Sequence, residues 1–134
     1  MVIDYEYSGW NPMAMDLANY LNETMFDNNT LKFVAENCMT PVEVDSMAES
    51  YLNDYWDKYM LPIVKEEYFD KKYFIHVMKR GFVSDIWKCA LLNNFFWAVW
   101  AIKMIDDPTE PGLFNYDFAK ARIEAYQKIK SIIN

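Results

Sequence analysis

The spacing of apolar and polar positions changes character soon after the start of this chain. Ile3, Tyr5 and Tyr7 alternate with Asp4 and Glu6, the two-residue period of a strand whose end projects carboxylates. From Pro12 the period lengthens. Leu17, Leu21 and Met25 recur every four residues, which predicts an amphipathic helix over Pro12–Phe26 with the proline at an early helical position. Asp16, Asn19, Tyr20 and Glu23 share a second, polar face of that helix.

"DNNT" breaks the pattern, and "LKFVAENC" after it has no clear period. Thr40-Pro41 reads as an N-cap and an N1 proline starting a second helix near Val42, which continues toward Tyr59. Pro62 interrupts. A third helix through "KEEYFDKKYFIHVMKR" is expected to end at Gly81, where glycine can take the left-handed C′ conformation. A fourth, the most apolar, runs from Val83 to Ile105. "DDPTEPG" reads as a loop. The last helix, "DFAKARIEAYQKIKSII", places Phe118, Ile123 or the Arg122 stem, Tyr126 and Ile129 on one side. The expected fold is mainly α-helical, opening with a short strand, and no linker or repeat divides it.

The run Cys89–Ile105 touches the lower length limit of a spanning helix. Asn93 and Asn94 interrupt it and Lys88 and Lys103 bracket it, so it reads as a buried core helix, with no membrane span. The 134 residues, 53% of them hydrophobic and 18% aromatic, suffice for one core and not for two.

A net charge of −7 without a basic stripe argues against nucleic acid. Cys38 and Cys89 are isolated thiols without an apolar leader, which fits a reducing, cytoplasmic setting. One histidine, His76, and two separated cysteines form no zinc pattern. Three glycines form no phosphate-cradling loop. By chemistry alone Asp4 suits magnesium, which takes hard oxygen ligands, while a turn-initiating acid is an equal reading. Trp97 and Trp100 are neighbours on a helix, by default a packing stripe.

Three blocks change that balance. "IDYEYSGWNPMAMDLANYLNE" resembles the choline and ethanolamine kinases, whose segment reads I-D-F-E-Y-S, an aromatic and Asn, then a D-[IL]-[AG]-N helix ending in Glu. "NNFFWAVWAI" is similar to the same family's F-F-W-x-x-W helix, and "FNYDFAKARIEAYQKIK" to its terminal helix. The resemblance implies that residues 1–134 are the C-terminal, substrate-binding portion of a protein-kinase-like (α+β) lobe. It implies an ATP-dependent kinase acting on the hydroxyl of choline or ethanolamine, the first step of phosphatidylcholine or phosphatidylethanolamine synthesis.

Residue by residue, the resemblance puts Asp4 on the magnesium-binding aspartate, with Glu6 as a second metal candidate. Tyr7 and Glu23 fall beside the alcohol substrate, and Trp97 and Trp100 form the cation-binding ring faces. Phe114, Tyr116 and Phe118 compete to close the pocket, and Asp16 is structural. The family's H-x-D-x-x-x-x-N loop, whose aspartate is the general base, and its nucleotide-binding N-terminal lobe are not in this sequence. The chain alone is therefore expected to be inactive, with the remainder of the kinase as its partner, ATP as co-substrate, and a homodimer open to the complete enzyme. Two other readings stay open: a non-catalytic helical module binding a quaternary ammonium, and a kinase for an aminoglycoside or another small molecule.

Overall fold

The computed structural model describes residues 9–27, 29–64, 69–105 and 116–133. Four helices make the body: α1 (Met13–Thr24), α2 (Pro41–Tyr55), α3 (Lys71–Met104) and α4 (Tyr116–Ile133). The predicted opening strand lies outside the described residues. Among those described there is no strand, only a single antiparallel bridge between Phe26 and Phe33.

Helix α1 starts one residue after Pro12, which sits at the N-cap. Its buried side carries Ala14, Ala18, Leu21, Asn22 and then Met25, so the Leu21–Met25 part of the predicted stripe is core and Leu17 lies at its edge. The chain then turns back. Asp27 Oδ1 accepts hydrogen bonds from the Asn29 and Thr30 amides at 2.9 and 2.7 Å, and Leu31 takes a left-handed φ of 55°.

Helix α2 begins as the sequence signals. Thr40 accepts from the Glu43 amide while Glu43 accepts from the Thr40 amide at 2.7 Å, a reciprocal capping box with Pro41 behind it. Val44, Ala48 and Leu52 form its buried stripe. The helix widens into a π-helical turn over Trp56–Met60 and ends before Pro62. That turn drives Trp56 fully inside, against Phe69 and Phe74 at 5.9 and 5.3 Å.

Two expectations are corrected at α3. The third and fourth predicted helices are one 34-residue helix, roughly 50 Å long at 1.5 Å per residue. It begins at Lys71, because Asp70 accepts from the Tyr73 amide at 2.7 Å as an N-cap. Gly81 does not end it. An interior glycine costs about 1 kcal/mol, and the burial of Phe74, Phe82, Ile86 and Trp87 on either side outweighs that.

Helix α3 is the spine against which α1, α2 and α4 pack. Its C-terminal half is not a core helix on all sides. Ala90, Asn94, Ala98 and Ala101 are buried, while Leu92, Phe95, Phe96, Val99 and Ile102 are each more than half exposed. No described helix is long and apolar enough to cross a membrane.

Candidate functional site

The C-terminal end of α1 meets α4 beside the aromatic half of α3, and three elements bring the candidate residues to that seam. Phe118, in the first turn of α4, is buried with Ala119 and Ala101, and Trp97 and Leu31 pack against this small cluster. Trp97 and Trp100 touch edge to face, with centroids 5.2 Å apart and planes at 84°. Phe96 meets Trp97 in the same way at 5.5 Å. The two indoles therefore stand as adjoining walls, a geometry that aromatic pairs favour.

One turn further along α4, Arg122 joins Phe118 to Glu23. The residue is 5% exposed, and Nη2 donates to Glu23 Oε1 at 2.9 Å. The guanidinium carbon lies 4.1 Å from the Phe26 ring centroid and 5.0 Å from that of Phe118. Burial lowers the arginine's pKa, and the Glu23 carboxylate partly restores it. The Glu23 side chain is itself about half exposed. Glu23, Arg122, Phe118, Trp97 and Trp100 thus form one continuous line of contacts, offering a carboxylate beside ring faces. That is the chemistry which holds an organic cation.

The remaining candidates are placed differently. Asp4, Glu6, Tyr7 and Phe114 lie outside the described residues. Tyr116 is on the first turn of α4 with its side chain largely exposed. Asp16 is exposed on α1, and its charge, after burial, helps raise the pKa of Tyr51. The polar face of α1 that the sequence predicted is an outward face. No cluster of three or more His, Cys, Asp or Glu among the described residues could hold a metal ion. An open cavity of about 600 Å³ borders Phe118 between the Asn29–Phe33 turn and α4. It is lined by Lys32, Lys120, Asp117 and Glu124 and does not reach Glu23 or the tryptophans.

Arg122 entered the sequence reading only as a stem in a helical stripe. Its partner is 99 residues away, so no local pattern announces the pair. An amide network between α1 and α3 escaped notice as well. Asn22 Nδ2 donates to Asn93 Oδ1 at 2.9 Å and to the Ala90 carbonyl at 3.1 Å, Asn94 Nδ2 donates to Asn22 Oδ1 at 2.8 Å, and Asn93 Nδ2 to Asn19 Oδ1 at 3.0 Å. These bonds fix α1, and with it Glu23, in register along α3. The asparagine pair interrupting the apolar run was the available signal.

Comparison with known proteins gives the family to which this helical body belongs. The family model for choline/ethanolamine kinase matches residues 1–127. This chain belongs to the choline/ethanolamine kinase family. It is similar to the choline kinase of Saccharomyces cerevisiae (strain ATCC 204508 / S288c), 33% identical over 76% of this chain and 16% of that protein. Probable choline kinase 2 of Arabidopsis thaliana is 31% identical over 93% of this chain and 32% of its own length. Ethanolamine kinase 2 of Homo sapiens is 30% identical over 96% and 28% respectively. The chain spans a third or less of the length of these relatives. No solved structure matches it significantly.

Proposed function

We propose that this chain is the C-terminal, substrate-binding portion of an ATP-dependent kinase that phosphorylates the hydroxyl of choline or ethanolamine. The observation that carries the reading is the convergence of Glu23, Phe118, Trp97 and Trp100 on one seam, in a chain of this family. A trimethylammonium group has no hydrogen to donate, so ring faces and a nearby carboxylate are what can recognise it. Tyr7, Phe114 and Tyr116 complete the proposed substrate contacts.

Asp4, with Glu6 as second ligand, supplies the hard carboxylate oxygens that magnesium takes. The ion, when bound, neutralises charge on the transferred phosphoryl group. Asp16 has a structural role. The general base and the nucleotide-binding lobe belong to the remainder of the kinase, whose complete form can be a homodimer and acts in the cytoplasm.

The experiment pairs this chain with the preceding portion of a family kinase and measures ATP-dependent phosphorylation of choline and ethanolamine. Turnover is expected from the pair and from neither part alone. Turnover by the 134 residues alone would overturn the placing of the base elsewhere. In the active pair, Trp97→Ala and Trp100→Ala should each weaken choline by about 1–2 kcal/mol while sparing ATP. Equal losses for both would reduce the tryptophans to packing, and choline binding without turnover in the pair would favour a non-catalytic quaternary-ammonium module.

A further inference from the structure

Arg122 is a charged residue buried within the seam. Its guanidinium is removed from water, yet among the described residues only Nη2 has a hydrogen-bond partner, and Nε and Nη1 are buried without one. Replacing a buried ion pair by well-packed apolar side chains is often neutral or stabilising, so packing does not account for an arginine here. A buried group left unsatisfied calls for another explanation.

Its contacts supply one. Nη2 holds Glu23 by Oε1, which leaves Oε2 without a partner among the described residues on a side chain that is half exposed. The same guanidinium lies over the rings of both Phe26 and Phe118, and Phe118 borders Trp97 through the Ala101 cluster. One side chain therefore sets both a carboxylate oxygen and an aromatic wall. A rigid, planar fork can do this and a flexible ammonium cannot.

We propose that Arg122 is a positioning residue: it fixes Glu23 Oε2 relative to Phe118 and the tryptophan pair, so that the cationic head of an amino alcohol meets the carboxylate at the border of the ring faces. The proposal rests on the cation-pocket reading and adds the residue that aligns its charged and aromatic halves. It separates two effects that a structural role would merge. Loss of alignment weakens a cationic ligand selectively, because only the cation responds to the carboxylate, whereas general loosening of the seam weakens any ligand of the same shape.

The test titrates the 134-residue chain, wild type and Arg122→Lys, with choline and with its neutral isostere in which carbon replaces the quaternary nitrogen. Binding is followed by the indole N–H resonances of Trp97 and Trp100. The preference for choline over the isostere should fall about tenfold in Arg122→Lys, because choline loses the aligned carboxylate while the isostere loses at most part of one ring wall. A retained preference, or equal weakening of both ligands, overturns the proposal. If Arg122→Lys does not fold, the wild-type Arg122 Nε–H resonance decides: it should move with choline at the same saturation as the Trp97 indole, and an unmoved signal overturns the proposal. A wild-type chain with no preference for choline over the isostere would instead sink the cation-pocket reading, and this proposal with it.

Discussion

Asn94 is fully buried, and its Nδ2 donates both to Asn22 Oδ1 and to the Ala90 carbonyl one turn back. Its Oδ1 has no partner among the described residues, so the bond to Asn22 is the part that matters across the helices. Asn94→Ala should leave Asn22 Oδ1 buried and unpaired, a cost of about 1–3 kcal/mol, read as a lowered denaturation midpoint. An unchanged midpoint would mean that the α1–α3 clasp contributes nothing. Glu43 gives the pH counterpart. Hydrogen bonds from Thr40, backbone first and then side chain, lower its pKa from 4.5. A lowered folded pKa contributes stability that is fully present above the unfolded value and lost as pH falls through the folded one. Wild type should therefore exceed Glu43→Gln in melting temperature at neutral pH, and the gap should close on acidification below that range. A gap independent of pH would exclude the ionised carboxylate as its cause.

At the scale of elements, α3 carries the clearest consequence. Gly81 lies in its interior, exposed to solvent, and a Cβ built there meets nothing within 4 Å among the described residues. No turn or close approach requires glycine at this position. Gly81→Ala should then stabilise the chain by about 0.5–1 kcal/mol through reduced unfolded-state entropy, seen as a higher melting temperature. Destabilisation would point to a conformational role for glycine at this position. Elsewhere on the helices, Lys79 bridges α3 to Asp45 and Glu49 of α2 at 2.8 and 2.9 Å, and Lys71 reaches Asp57. Exposed pairs of this kind contribute little individually. Burial of Val44, Leu52, Trp56, Phe74 and Ile86 holds α2 against α3.

For the whole molecule, the half-exposed row Leu92, Phe95, Phe96, Val99 and Ile102 repeats at helical spacing on the face of α3 turned away from the buried alanines. Contiguous apolar area of this kind is uncommon on an isolated soluble domain. The 134-residue chain should bind a hydrophobic dye and associate as its concentration rises. Leu92→Lys with Phe96→Lys should suppress both without lowering the melting temperature. A chain that remains monomeric and dye-free at high concentration would contradict the exposed row.

What the sequence determined by itself was local and periodic. The Thr40-Pro41 cap, the α1 stripe through Leu21 and Met25, the helical character of residues 83–105 and of the last segment, and the spacing that makes Trp97 and Trp100 neighbours all depend on contacts within a few residues. The family was legible in three short blocks for the same reason, since each block is a contiguous string. Tertiary structure decided what depends on distant partners. Burial on both sides of Gly81 carried one helix through a residue whose local preference was to stop it. The apolar run Cys89–Ile105 became half surface because α1 and α4 cover only one side of α3. Glu23, which the chain's own spacing placed on a polar face of α1, was tied to Arg122 because packing of α1 and α4 against α3 brought a guanidinium within reach of its carboxylate. A pair 99 residues apart leaves no period to read, since only closure of the fold brings its two charges together.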